Sequence, residues 1–67
     1  MTAKEMFEKL GFNKTFYIIG FSYEMKNKPF KMINFYIDDM SFFASSRITM
    51  EEFKAITQQM KELGWIE

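Results

Sequence analysis

Apolar residues at helical spacing mark the beginning of the chain. Thr2 and Glu5 have the spacing of a capping box, in which the threonine hydroxyl accepts from the backbone N–H of Glu5 and the carboxylate reaches back. Phe7 and Leu10 follow one helical turn apart, and Gly11 supplies the left-handed backbone that commonly ends a helix. The pattern predicts a short amphipathic helix between Thr2 and Gly11.

The same signals enclose a longer helix further along the chain. Thr49 and Glu52 form a second capping box, and Gly64 is the predicted stop. The apolar positions between them share one helical face: Phe53, Ile56, Met60 and Leu63. We therefore expect Phe53 to lie in the hydrophobic core.

Strand-forming residues fill the middle of the chain. Three segments are rich in aromatic and β-branched residues, and the predicted strands are residues 15–24, 30–37 and 40–47. The turns between them are residues 25–29 and Asp38-Asp39, and connections this short force antiparallel neighbours. The prediction is a single α+β domain over residues 1–67. Its order is α-β-β-β-α, a three-stranded antiparallel meander with two helices packed on one face.

The second turn predicts which residues share the core side of the sheet. If Asp38 and Asp39 form a two-residue loop, three apolar pairs lie on one side: Ile33 with Ala44, Phe35 with Phe42, and Ile37 with Met40. The first strand is expected to add its more apolar set to this side: Tyr17, Ile19, Phe21 and Tyr23. Both helices should cover that side.

The opposite, outer side is less polar than a solvated antiparallel face normally is. Its apolar residues are predicted to form a binding or dimerisation surface: Phe16, Ile18, Met32, Tyr36 and Phe43, with Phe30 as a further candidate. Exposed apolar patches of this kind mark interfaces. The alternative is a three-layer sandwich, in which one helix crosses to the outer side.

Composition narrows the ways in which such a short chain can be stable. A domain of 67 residues hides a modest share of its surface, and the chain has no Cys and no His. Disulfides and the common zinc ligand sets are therefore excluded. Because 48% of the residues are hydrophobic and 19% are aromatic, we expect an apolar core, self-association as a homodimer, or both.

Candidate chemistry is sparse. The adjacent carboxylates Asp38-Asp39 and Glu51-Glu52 sit where a hairpin turn and a helix start need them, so structural roles explain both pairs. The serines lack a partner base, since His is absent. We expect a non-enzymatic protein with no catalytic, cofactor-binding or metal-binding residue and no small-molecule substrate.

Charge offers one alternative function. The nine basic residues balance the nine acidic ones, which does not favour nucleic acid or a membrane surface as a partner. The predicted first hairpin is nevertheless basic, and Lys26, Lys28 and Lys31 could contact phosphates while nearby aromatic residues stack on bases. Nucleic-acid binding is therefore the second hypothesis. Lysines at sheet edges are also ordinary protection against aggregation.

Three segments carry a resemblance to a group of proteins. Residues 2–12 read TAKEMFEKLGF, residues 48–56 read ITMEEFKAI and residues 61–65 read KELGW, with an aromatic-rich hairpin between them. In these features the chain resembles small proteins of phages and prophages of Gram-positive bacteria. The resemblance implies a cytoplasmic setting in a bacterial host and a phage-encoded role, such as modulating a host or phage protein. It implies no catalytic residue.

Overall fold

The computed structural model describes residues 1–28 and 30–67, so that Pro29 of the predicted 25–29 turn lies outside the described residues. The chain forms two helices and a four-stranded antiparallel sheet. The elements are α1 (Ala3–Lys9), β1 (Phe12–Tyr17), β2 (Gly20–Met25), β3 (Met32–Tyr36), β4 (Ser41–Ala44) and α2 (Met50–Glu62). The fold is therefore α+β, with strand order β1-β2-β3-β4.

Both predicted helix starts are confirmed. The Glu5 N–H donates to Thr2 Oγ1 over 3.1 Å, and the Glu52 N–H donates to Thr49 Oγ1 over the same 3.1 Å. Each glutamate side chain also accepts from the backbone N–H of its threonine, which completes the capping box. The helices end beside glycines with positive φ, at Gly11 and Gly64.

The prediction of three strands is wrong, because residues 15–24 form parts of two strands. Tyr17 pairs with Gly20 across a two-residue turn of Ile18 and Ile19, so the chain reverses in the middle of the predicted strand. Gly20 is required at the start of β2, since a Cβ there would stand 1.9 Å from the Phe35 carbonyl oxygen. The glycine thus lets β2 lie close against β3.

The core lies between the helices and one side of the sheet. Phe7 of α1 stacks on Tyr23 of β2 with ring centroids 3.9 Å apart, and meets Phe35 of β3 edge-on at 6.4 Å. Ile56 of α2 belongs to the same buried cluster. The predicted pairs Ile33–Ala44 and Phe35–Phe42 are confirmed, and the predicted core side is the side that the helices cover.

The predicted core face of α2 is confirmed at Ile56, Met60 and Leu63, which are buried or packed against the core, and is wrong at Phe53. Phe53 is 53% exposed, whereas the buried positions are Glu52, Ala55, Ile56 and Gln59. The polar members of this set are buried because they have partners. Gln59 Oε1 accepts a 2.6 Å hydrogen bond from the Tyr23 hydroxyl, and the Glu52 carboxylate pairs with Lys31 at 3.0 Å. These partnered groups take positions that a purely apolar pattern would give to Phe53.

The turn between β3 and β4 also differs from the prediction. Strand pairing stops at Tyr36 and Ser41, so that Ile37 and Met40 lie in the turn rather than in a core pair. Met40 has a φ of 56° and is 62% exposed. The reason is that four residues, not two, make the reversal.

A hydrogen bond joins the two helices. The Ala3 N–H donates to Glu62 Oε2 over 2.8 Å, which satisfies one of the free N–H groups at the start of α1. Ala3 is completely buried, so the first turn of α1 and the last turn of α2 hold each other in place.

Candidate interaction surface

The outer face of the sheet contains part of the predicted surface. Met32, Tyr36 and Phe43 lie on this side, opposite the helices, as predicted. Phe16 does not, because it pairs with Phe21 and its ring lies 6.5 Å from the Phe21 ring on the helix side. Ile18 occupies the β1–β2 turn. The predicted placement of Phe16 and Ile18 on the outer face is therefore wrong, and its cause is the missed turn.

Polar groups occupy much of the outer face. Glu24 Oε2 accepts from the Ser22 hydroxyl and from the Tyr17 hydroxyl, each over 3.0 Å. Ser22 is completely buried beneath this cluster. Asn34 Nδ2 donates to the Tyr36 hydroxyl over 3.3 Å. These bonds make the outer face a hydrogen-bonded layer, and its apolar character is weaker than the sequence suggests.

A shallow groove crosses this outer layer where Gly20 leaves room. Its volume is about 330 Å³, and its side-chain walls are Tyr17, Ile19, Met32, Asn34 and Tyr36. The groove mixes aromatic edges with polar groups that already bond to one another. It offers space for an apolar side chain of a partner and no arrangement of acid, base or nucleophile.

A second set of exposed apolar side chains lies where the β1–β2 and β3–β4 hairpins turn. Ile37 N–H donates to the Ile19 carbonyl oxygen over 2.8 Å, so the β1–β2 turn and the β3–β4 turn are neighbours. We call this region the hairpin end, and it consists of Phe16, Ile18, Ile19, Ile37, Met40 and Phe42. Each of these side chains is 44% exposed or more, and Ile18 is fully exposed. Four of these residues belong to the core side that the sequence predicts: Ile19, Ile37, Met40 and Phe42.

A row of aromatic rings connects the hairpin end with the core. Phe16, Phe21, Phe35 and Phe42 come from the four successive strands, and neighbouring centroids lie 6.5, 5.2 and 6.0 Å apart. Trp65, which follows α2, covers Phe35 at 6.2 Å. The outer members of the row, Phe16 and Phe42, remain exposed at the two sheet edges. The row therefore continues apolar surface from the core to both edges.

Lys14 of β1 lies against the same row. Its ammonium nitrogen is 4.3 Å from the centroid of the Phe21 ring and 5.0 Å from that of Phe16. Burial lowers the pKa of Lys14 below the ordinary lysine value, and the nearby positive charge of Lys4 lowers it further. The distances to the two rings are those of a cation–π contact, which favours the charged form against this burial.

The lysines of the nucleic-acid hypothesis do not share one environment. Lys26 and Lys28 are exposed in the loop after β2. Lys31 is instead mostly buried, and its ammonium bonds to Glu52 at 3.0 Å and donates to the Arg47 carbonyl oxygen over 2.6 Å. Its charge is used within the fold, where it ties the β2–β3 loop to the start of α2.

Other kinds of site have little support in the described residues. Within residues 1–28 and 30–67 no three carboxylates come together as metal ligands would, and none of the helices there is long and apolar enough to cross a membrane. Comparison with family models, with curated proteins and with solved structures finds no match. The exposed apolar hairpin end is therefore the feature that calls for a functional explanation.

The missed turn left a signal in the sequence. The predicted first strand of ten residues is longer than the usual five or six. It also contains Gly20, which weakens a strand interior and often marks a bend or a close approach of two backbones. Splitting the segment before this glycine would have placed Phe16 and Ile18 correctly.

Proposed function

We propose that the protein is a small non-enzymatic interaction module that docks on another polypeptide through its hairpin end. The observation that carries this proposal is the concentration of exposed apolar side chains in two adjacent turns, with Ile18 fully exposed and Phe16 74% exposed. Clustered exposed apolar side chains of this kind mark interaction sites, protein contacts among them. Aromatic residues and Met are also enriched at such contacts.

The hairpin end supports docking better than the outer face does. On the outer face, Ser22, Asn34 and Tyr36 already take part in hydrogen bonds within the chain. At the hairpin end the exposed Phe, Ile and Met side chains gain free energy simply by leaving water, and they surround the exposed carboxylates Asp38 and Asp39 of the β3–β4 turn. The partner would therefore present an apolar surface of its own.

The setting in which the module acts is part of the same proposal. The resemblance to small phage and prophage proteins supports a cytoplasmic role in a bacterial host. A protein of this kind would act by occupying a surface of a host or phage protein, since docking needs no chemistry. The resemblance and the exposed apolar side chains support this view independently.

Charge placed at the hairpin end tests the proposal. Ile18→Lys should abolish association, because Ile18 is fully exposed and the substitution leaves the core untouched. Phe43→Lys is the matched control, since it adds the same charge at a 55% exposed apolar position of the outer face. The two variants and the parent would be compared by light scattering and by affinity capture from bacterial lysate, with circular dichroism to verify folding.

The outcomes separate the two surfaces. Association that is absent in Ile18→Lys and kept in Phe43→Lys supports docking through the hairpin end. The opposite pattern would transfer the function to the outer face. A parent that associates with nothing, at any concentration or in lysate, would overturn the proposal.

Binding of single-stranded nucleic acid is a second candidate, favoured by one observation. A groove of about 700 Å³ beside the start of α2 is lined by basic and aromatic side chains that include Lys28, Arg47 and Phe30, the last of which is 85% exposed. An exposed ring beside cations is the arrangement that stacks bases and contacts phosphates. The neutral overall charge argues against strong binding.

Lys26→Ser with Lys28→Ser tests this candidate without disturbing the fold. Lys31 is left unchanged because its removal would leave the buried Glu52 carboxylate without its partner. If the loop binds nucleic acid, the parent's affinity should fall with salt, and the double variant should show a smaller slope, by about 0.9 for each duplex phosphate that a lysine no longer neutralises. Equal, shallow slopes in titrations of a labelled oligonucleotide would rule the candidate out.

A further inference from the structure

The strand β1 is one edge of the sheet and has a free side. In the order β1-β2-β3-β4, β1 pairs with β2 alone among the described residues. It contains six residues, whereas the other edge strand, β4, contains four. An edge strand exposes a row of backbone N–H and C=O groups that can pair with a further strand. The longer of the two edges offers the longer row.

The backbone bonds around β2 show which groups of β1 face outward. Met25 N–H donates to the Lys31 carbonyl, and Ile37 N–H donates to the Ile19 carbonyl. The odd-numbered residues of β2 therefore bond to β3, and its even-numbered residues bond to β1. Since the even residues of β2 face the odd residues of β1, the groups on the free side of β1 belong to Phe12, Lys14 and Phe16.

The free side of β1 carries only one of the usual protections of an edge strand, the charge of Lys14. Natural edge strands are blunted by proline, by bulges or by charged side chains that discourage pairing. The sequence of β1 is FNKTFY, and Lys14 is its one charged residue. Its ammonium lies 4.3 Å from the centroid of the Phe21 ring. The remaining side chains are apolar or small and neutral.

Pairing of β1 with itself is limited to two registers. Two copies related by a two-fold axis pair antiparallel, and the helix sides of both sheets must match, so that residues of equal parity face each other. Near full overlap, either Lys14 faces Lys14 of the second copy or Thr15 faces Thr15. The first register sets two like charges opposite each other, which is unfavourable.

The second register places no two like charges opposite each other. Thr15 faces itself on the axis, Lys14 faces Phe16, Asn13 faces Tyr17 and Phe12 faces Ile18. On the helix side, each Lys14 then meets an aromatic ring from the second copy, in the manner of its contact with its own Phe16 ring at 5.0 Å. Self-complementarity of this kind identifies the occupant of the edge as a second copy of this chain.

We propose that two copies join through β1 with Thr15 on the two-fold axis, so that the four strands of each form one continuous sheet. This inference rests on the proposed function and names the partner. Ile18 and Phe16, the most exposed residues of the hairpin end, would lie opposite Phe12 and Lys14 of the second copy. Docking through the β1 side of the hairpin end, at Phe16 and Ile18, and completion of the sheet edge are then one event.

A single cysteine tests the register directly, because the natural chain contains none. Thr15 bonds inward to β2, so the facing Thr15 residues form a non-hydrogen-bonded pair with Cα atoms about 4.5 Å apart. That spacing suits a disulfide. Thr15→Cys should therefore cross-link under mild oxidation, which doubles the mass of 8.1 kDa on a non-reducing gel. Asn13→Cys and Tyr17→Cys, on the same face of the same strand, should not.

Several outcomes would overturn the inference. If Asn13→Cys, Tyr17→Cys or a further variant, Lys14→Cys, cross-links in preference to Thr15→Cys, the register is wrong. If none cross-links and the parent sediments as a monomer, the second copy is not the partner. In that case, Ile18-dependent capture of another protein would still support the proposed function. Absence of that capture as well would overturn both.

Discussion

The helix-covered part of the sheet and the hairpin end contain the same residue types, but the first is buried and the second is exposed. Phe7, Phe12 and Ile33 are almost completely buried, whereas Phe16 and Ile18 are mostly exposed. The aromatic row of Phe16, Phe21, Phe35 and Phe42 connects the two regions. The difference is that α1 and α2 cover the first region, whereas the side chains of the hairpin end stay exposed. Hydrophobicity alone therefore does not separate core from surface in this chain.

The largest expected difference between the two regions is in core packing. Phe7→Ala should lower the free energy of unfolding by roughly 3–5 kcal/mol, because it empties a site stacked on Tyr23. Phe16→Ala should cost about 0.5 kcal/mol or less, since the ring is 74% exposed. Urea denaturation of both variants, measured below any association concentration, checks this. Similar losses for both variants would show that the hairpin end is packed in solution.

A middle-sized effect concerns the buried hydroxyl of Tyr23. Burial raises its pKa well above the ordinary value of 10.0, and the charges of Glu62 and Glu8 raise it further. The unfolded chain loses this proton near pH 10 while the folded chain keeps it. The stability that this group contributes is thus fully present below about pH 10 and is lost as pH rises, by up to about 1.4 kcal/mol per pH unit.

Tyr23→Phe isolates this contribution. The variant should lose about 1–3 kcal/mol at neutral pH, because Gln59 keeps a buried, unpaired oxygen. In this variant, the free energy of unfolding should also fall less steeply above pH 10 than it does in the parent. Tyr17→Phe is the matched control, since its hydroxyl bonds to Glu24 at an exposed position. An alkaline melting curve that is the same in the parent and in Tyr23→Phe would contradict the buried hydrogen bond.

The smallest expected effect is at Phe53. Because this ring is 53% exposed on α2, Phe53→Ala should cost about 1 kcal/mol or less. Ile56→Ala, three residues later at a 1% exposed position, should cost about 2–5 kcal/mol. The ratio of the two losses, from urea denaturation, measures how far the buried face of α2 is turned from its apolar stripe. Equal losses of unfolding free energy in the two variants would show that Phe53 is a core residue.

The sequence predicts the parts of this fold that depend on local rules. Thr2 and Thr49 cap helices because their side chains reach N–H groups three residues away, an interaction that a short segment decides by itself. The pairing of Phe35 with Phe42 also follows from nearby residues, since alternation on both sides of a turn fixes the register.

The predictions fail at positions whose burial depends on contacts with residues far away in the sequence. Glu52 and Gln59 are buried only because Lys31 and Tyr23 meet them, and no periodicity in α2 could announce those partners. The turn at Ile18 replaces polar turn residues by two isoleucines, so composition argued for a continued strand. Exposure of an apolar turn to water is unfavourable in a monomer, whereas the same turn is suitable for a contact surface. The misread segment is therefore also the candidate site.

The bond from the Ala3 N–H to Glu62 has a consequence for the order in which the protein can fold on the ribosome. The sheet is a meander of neighbours and can pair strand by strand as the chain emerges. The bond from α1 to Glu62 cannot form until Glu62, which lies 59 positions after Ala3, has left the exit tunnel. Until then, α1 can pack on the sheet through Phe7 but lacks its bond to α2. Although α1 precedes the sheet in the chain, it is locked only after α2 has emerged, and a nascent chain that lacks α2 would be exposed to proteases and chaperones.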